Sequence, residues 1–195
     1  MKTLAAIERI LNLHHELARK IVHVLFGLCF LFAAAIFDLE IIPYLAFGSL
    51  LVFIAIRYLM IFPVMHDVYR RTYGEIFYPI GLLAASLIVD SAREFFVCVA
   101  VLAFADSAAS LAGKWWRSPK LRLGDTTASV VGSSTFLIIT IGVLALGGYF
   151  DFINIWWDGV IAFALILTAI EAVSPVGSDN VFIPLVLAVL LQTFS

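Results

Sequence analysis

The chain has 195 residues, 63% of them apolar and only 13% charged, with a formal net charge of -2. A soluble domain carries about 25% charged residues, and a water-soluble fold of this length has no interior large enough for so much apolar side chain. A bilayer removes the difficulty by presenting lipid to the outer surface, and a net charge of -2 gives no sign of a nucleic-acid partner.

Residues 1–18 place Leu4, Ile7, Leu11 and Leu17 near one helical face, with Lys2, Glu8, Arg9, Asn12 and Glu16 elsewhere. That is the pattern of an interfacial amphipathic helix. The polar opening through Lys20 is too long and too mixed in charge for a signal-peptide n-region, so 21–37 is expected as a retained first span. Further apolar stretches follow at about 40–63, 76–90, 94–112, 127–149, 152–173 and 180–195. Most approach the ~20 residues that cross ~30 Å of hydrocarbon; the third and the last are short. Backbone groups in hydrocarbon must pair internally, which makes these stretches helices. The unbroken apolar run from Phe136 to Leu146 lacks the alternation of a transmembrane β-barrel. The expected fold is therefore all-α, a polytopic transmembrane helix bundle of about seven spans. Residues 19–195 are expected to form a single transmembrane domain behind the amphipathic N-terminal helix of 1–18.

With alternating spans, eleven of the twelve basic residues fall on one side, Arg93 alone lying opposite, while Asp38, Glu40, Asp90, Glu94 and Asp151 occupy the other loops. The positive-inside rule puts the N-terminus in the cytoplasm. Trp115 with Trp116, and Trp156 with Trp157, read as interfacial belts at opposite boundaries. Cys29 and Cys98 lie in apolar runs and read as small apolar residues, without a disulfide or zinc spacing.

Some ionisable residues exceed what a membrane scaffold needs, since a charge at a helix centre costs roughly 2.5–3.5 kcal/mol on insertion scales. Asp106 sits well inside the fourth span on a side chain too short to snorkel far. Ser110 follows one turn on, and Ala105, Ala109 and Gly113 at four-residue spacing allow close helix contact. Glu171 ends an otherwise apolar span, and Pro175 and Gly177 then break the helix before Asp179 and Asn180 open the next. Capping accounts for one of these last residues but not for Glu171. Arg19, Lys20 and His23 open the first span, Arg70 and Arg71 precede the third, and Lys114 follows the fourth. Arg and Lys at such positions are also ordinary anchors, whereas His23 lies a turn inside. All these groups fall at the expected cytoplasmic boundary. Carboxylates that bind Mg²⁺ beside cations that bind phosphate suit a nucleotide-using enzyme. A P-loop is excluded, because the chain has no Gly-x-x-x-x-Gly-Lys-[Ser/Thr].

Four blocks in chain order carry a family resemblance. They are Glu16-Leu-Ala-Arg-Lys-Ile-Val-His23; Arg71-Thr-Tyr-Gly74 with Phe77-Tyr-Pro-Ile-Gly81; Asp106-Ser-Ala-Ala-Ser-Leu-Ala-Gly113; and Glu171-Ala-Val-Ser-Pro-Val-Gly-Ser-Asp-Asn180 with Pro184. Together they resemble the CTP-dependent lipid-alcohol kinases: dolichol kinase, phytol kinase and the CTP-using diacylglycerol kinase. The resemblance implies a membrane kinase that moves the terminal phosphate of CTP, with Mg²⁺, to the hydroxyl of a polyprenol-like or other lipid alcohol. It implies catalytic roles for Asp106, Glu171, Asp179 and His23, with Asp106 and Asp179 toward the metal and Glu171 as the base, as an acid behind the metal ligands, or as a further metal ligand. It implies nucleotide or phosphate contacts from Arg19, Lys20, Arg70, Arg71, Ser110, Gly113, Lys114, Ser129, Gly132, Ser133 and Asn180. The active site is expected at the cytoplasmic face, and a homo-oligomer is compatible with the sequence. One stretch departs from the pattern. In Thr127-Ala-Ser-Val-Val-Gly-Ser133, Thr127 and Ala128 stand where the family has lysines, and Val131 where it has glutamate. A cytidylyltransferase acting on a lipid phosphate, and a non-catalytic member of the fold that binds a lipid phosphate, are the alternatives.

Overall fold

A computed structural model of the chain describes residues 2–59, 74–116, 118–123, 126–175 and 177–194. Over the described residues it forms a bundle of seven helices with one small β-hairpin. Helix α1 runs from Lys2 to Ile36, so the amphipathic N-terminal stretch continues into the first apolar segment without a break. At 1.5 Å per residue, its 35 residues extend about 52 Å, more than a bilayer core requires. A single 3₁₀ turn (Leu39–Ile41) leads to α2 (Ile42–Leu59), and α3 spans Gly74–Ser86.

The next rod, Ala92–Trp115, is one continuous path of three pieces: α4 (Ala92–Ala100), a π-helical stretch (Val101–Asp106) and α5 (Ser107–Trp115). Ser91 caps its start by accepting from the Glu94 N–H at 3.2 Å, and Glu94 accepts in turn from the Asp90 N–H at 2.9 Å. These bonds satisfy donors that a helix start leaves open. A two-stranded antiparallel hairpin follows, β1 (Lys120–Leu123) and β2 (Thr126–Ser129), with Lys120 opposite Ser129 and Arg122 opposite Thr127. Then come α6 (Val130–Tyr149), α7 (Trp157–Val173) and α8 (Asp179–Phe194).

The Ala92–Trp115 rod is the centre of the bundle. Of its most apolar stretch 72% is buried, against 11% for that of Leu39–Arg57, which lies at the edge. Around the rod pack α1, α6 and α8, with α3 between α2 and α8 and α7 between α6 and α8. Phe95, Leu102, Phe136, Leu144, Leu167, Ile183 and Leu187 fill the interior. The outward faces are apolar too: Leu25, Phe32, Ile138, Leu146 and Leu165 are exposed, whereas Lys20, Asp106, Thr140 and Asn180 are buried. A protein in water arranges these the other way.

Four helices are long and apolar enough to cross a membrane, at Leu17–Ile36, Leu39–Arg57, Ala92–Trp115 and Val130–Tyr149, as expected of an integral membrane protein. The seven expected spans correspond to the seven helices, but three of these are shorter. Helix α3 has 13 residues, α7 has 17 and α8 has 16, or about 20, 26 and 24 Å. The fifth span, read from 127, begins as a helix only at Val130, because 127–129 are strand. The end of the second span (60–63) lies outside the described residues.

Candidate functional site

Most of the candidate residues meet on one face of the bundle. Helix α1 runs antiparallel to the central rod, and Gly27 of α1 abuts Ala103. A Cβ on Gly27 would stand 2.5 Å from the Ala103 Cβ and 2.7 Å from the Tyr78 hydroxyl, so only glycine lets the two helices and Tyr78 converge. One and two turns back along α1, His23 and Lys20 share a face, being three residues apart, and both reach Asp106. The Lys20 Nζ donates to Asp106 Oδ2 at 2.6 Å, and His23 Nε2 lies 3.6 Å from the same oxygen. Both members of the ion pair are almost wholly buried, at 6% and 4% side-chain exposure.

Asp106 closes the π-helical stretch of the rod. A π turn inserts a residue into the helical ladder and re-aims the side chains beside it, and such turns recur at functional sites. The next side chain, Ser107, is buried, and its Oγ has no partner among the described residues.

The connection between α7 and α8 supplies the third wall. Gly177 takes φ +86°, a conformation open to glycine and strained for other residues. A Cβ there would stand 3.1 Å from the Gly74 backbone. This contact seats the start of α8 against the start of α3. Buried Asn180 bridges the two: its Nδ2 donates to the Gly74 carbonyl at 3.3 Å, and its Oδ1 lies 3.0 Å from His23 Nε2. With the amide nitrogen committed to Gly74, the amide oxygen is the acceptor, so His23 Nε2 donates in this pair. Arg19 is on the same side, its Nη1 3.9 Å from where a Gly74 Cβ would be. Tyr78 packs its ring edge-on against His23 (centroids 4.1 Å apart), and its buried hydroxyl has no partner among the described residues.

Glu171 and Asp179 complete the acidic side. Glu171, near the end of α7, accepts from the Ser133 hydroxyl at 3.3 Å, and Asp179 Oδ1 accepts from the Asn180 N–H at 3.0 Å. Both are within electrostatic reach of Asp106 and Lys20. Among the described residues, no group of three or more His, Cys, Asp or Glu side chains is disposed to hold a metal ion unaided.

The Gly113, Ser129 and Gly132 group is built differently. A Cβ on Gly113 would stand 2.5 Å from the Ser129 Oγ and one on Gly132 2.8 Å from it, and the two glycines let α5 and α6 approach closely. The first N–H groups of α6 are already taken: Val130 donates to the Pro119 carbonyl, Val131 to the Ser118 Oγ and Gly132 to the Ser129 Oγ. Ser129 and Gly132 therefore cap and pack the helix start, leaving those donors closed to an anion.

Lys20, His23, Asp106, Asn180, Glu171, Asp179 and Ser133 thus gather on one face, with Arg19 at its edge. Ser110 and Lys114 follow Asp106 along α5, with Lys114 exposed at its end. Arg70 and Arg71 lie outside the described residues. The chain matches no family model, no curated protein and no solved structure. The structure also adds Gly27 and the π turn, which the sequence did not mark, and gives individual places to Tyr78 and Ser107, which stood unremarked within the quoted blocks. Gly74 and Tyr78 stand in blocks that the sequence does single out, and their glycine and aromatic character was the available signal.

Proposed function

We propose that this protein is a membrane phosphotransferase that moves the terminal phosphate of CTP to the hydroxyl of a long-chain lipid alcohol at the cytoplasmic side of its membrane. The observation that carries the reading is the single buried cluster in which Lys20, His23, Asp106 and Asn180 contact one another, with Glu171 and Asp179 within electrostatic reach. A charge this costly in an apolar bundle points by default to a functional site, which supports the reading. The positive-inside count supports the cytoplasmic sidedness, and seven spans follow if α3, α7 and α8 also cross, as tilt or local thinning permits.

In the proposed step the lipid oxygen attacks the terminal phosphorus of CTP. A new P–O bond forms, the bond from that phosphorus to the bridging oxygen breaks, and CDP leaves with the electron pair. The hydroxyl proton passes to a carboxylate, for which Glu171 is the candidate. His23, held by Asn180, orients the oxygen. Arg19 and Lys20 offset phosphate charge as it develops, which is where most of the rate of phosphoryl transfer originates. The donor set suits Mg²⁺, which takes one or two carboxylates and completes its shell with phosphate oxygens and water. Asp106 and Asp179 are the two proposed ligands. Bound there with the nucleotide, Mg²⁺ would neutralise charge on the phosphates. Lys20 is the partner of Asp106 in the structure, so productive binding requires Lys20 to turn from the carboxylate to a phosphate.

The test is to incubate the purified, detergent-solubilised protein with CTP labelled at the terminal phosphate, Mg²⁺ and a pool of lipid alcohols. Label is expected in the organic phase, with CDP as co-product, and is expected to vanish with EDTA. Pyrophosphate in place of CDP would assign cytidylyl transfer. A folded protein that binds anionic lipid and consumes no nucleotide would assign a non-catalytic role.

A further inference from the structure

Asp106 takes its counter-ion from another helix. The Lys20 ammonium of α1 stands 2.6 Å from Asp106 Oδ2, and both side chains are almost wholly buried. His23 Nε2 lies 3.6 Å from the same oxygen but donates to Asn180 Oδ1 at 3.0 Å. Breaking a pair this dry strands a charge, which costs far more than the intact pair contributes. A divalent cation that reaches Asp106 alone must expel the ammonium and leave it buried beside the metal, cation against cation. An anion that arrives with the metal changes the balance, because the ammonium then passes from one oxygen to another and keeps a charge-assisted hydrogen bond.

Packing decides where the ammonium can go. Toward the middle of the bundle the way is filled: Gly27 abuts Ala103 and the Tyr78 hydroxyl, and the Tyr78 ring lies edge-on against His23 with centroids 4.1 Å apart. Lys20 is one turn on the other side of His23, in the first turn of the span Leu17–Ile36 and next to Arg19. A lysine carries its charge on a flexible four-carbon stem. Rotation about the stem's own bonds takes the ammonium toward the helix ends while α1 stays in place.

We infer that Lys20 is a latch: at rest it occupies the Asp106 carboxylate, so that a divalent cation is admitted there only together with a phosphate-bearing ligand that takes the ammonium over. The inference rests on the proposed function for the identity of that ligand, and on the Lys20–Asp106 geometry for the latch itself. Its consequence is coupling. Metal and nucleotide each raise the affinity for the other, by the same factor, because both bind the state in which Lys20 has turned. The resting protein meanwhile keeps its buried carboxylate paired. An ion pair that serves the fold alone predicts the opposite, since it stays closed whether or not a ligand binds and gives the two ligands no influence on one another.

The test uses the full chain in non-ionic detergent with Mn²⁺ as the probe cation. Electron paramagnetic resonance of free Mn²⁺ gives the affinity for the cation alone. Thermal unfolding, followed by tryptophan fluorescence, compares Mn²⁺ alone, CTP with EDTA, and Mn²⁺ with CTP. In the wild type, Mn²⁺ alone is expected to bind weakly and to leave the midpoint unmoved. Mn²⁺ with CTP should raise it, because a ligand that binds only the folded state stabilises that state. Lys20→Met should bind Mn²⁺ alone about tenfold more tightly than the wild type and recover with Mn²⁺ part of the stability it has lost. Adding Asp106→Asn to that variant should abolish the gain. Wild type that binds Mn²⁺ alone as tightly as Lys20→Met would overturn the inference, as would a gain that survives Asp106→Asn. If Lys20→Met does not fold, the wild type decides: a midpoint raised as far by Mn²⁺ alone as by Mn²⁺ with CTP overturns the latch, and a rise that needs both upholds it. Tight Mn²⁺ binding in Lys20→Met with no response to CTP in either protein would keep the latch and remove the nucleotide reading. A response to CTP with no gain in Lys20→Met would do the reverse.

Discussion

Replacing Lys20 by methionine keeps most of the side-chain volume and removes the charge that faces Asp106. At 2.6 Å two unit charges attract by about 6 kcal/mol at an effective dielectric constant of ~20. Drawing each ion out of water costs several kcal/mol, so the intact pair contributes little net stability. Removing one partner is another matter. Asp106 would keep its burial and lose the group bonded to it, which costs about 3–5 kcal/mol. Lys20→Met should therefore destabilise the protein by several kcal/mol, whereas Lys20→Met with Asp106→Leu should return close to the wild-type value, because neither charge is then left stranded. The assay is reversible unfolding of the purified protein in bicelles by added SDS, followed by near-UV circular dichroism across the four-member cycle. Two results would refute the reasoning: a single variant within about 1 kcal/mol of wild type, the range of an exposed pair, or a double variant as unstable as the sum of the singles.

Asp106→Asn keeps the shape of the side chain and removes its charge; insertion should be intact and CTP-dependent labelling of lipid lost, and full labelling would remove Asp106 from the site. Asn180→Leu breaks the bonds to His23 and Gly74 and should cost about 1–3 kcal/mol, with a larger loss in turnover than in CTP binding, measured by nucleotide titration against initial rates. Gly27→Ala would drive a methyl group into Ala103 and the Tyr78 hydroxyl and should destabilise by about 1–3 kcal/mol; Ala103→Gly in the same chain should restore part of it on the same SDS titration. Tyr78→Phe removes a hydroxyl that has no partner among the described residues, so stability should hold or rise slightly while the apparent KM for lipid increases; an unchanged KM would make Tyr78 a packing residue alone.

The sequence was informative wherever a single residue carries its own signal. Apolar length alone marked the long helices. The intramembrane carboxylate stood out at Asp106, because an acid in an apolar run has a free-energy cost that local structure cannot relieve. Pro175 and Gly177 marked the break before α8, and the structure puts that break against Gly74. The hairpin has a local signal of its own. Gly124-Asp125 between Lys-Leu-Arg-Leu and Thr-Thr-Ala-Ser is a two-residue turn signal, hidden by the apolar run that follows it. Other features had no local code. The π stretch at Val101–Asp106 lies in a sequence that reads as plain helix. Lys20 reads from sequence as an interfacial anchor, and only the antiparallel placement of α1 against the central rod turns it inward to Asp106, 86 positions away. The same holds for Asn180, whose capping chemistry is local but whose bonds to His23 and Gly74 join three helices. Burial cost is a property of the residue and its neighbours in sequence, so it can be read along the chain. The partner that offsets that cost is chosen by how helices cross, and that is settled in three dimensions.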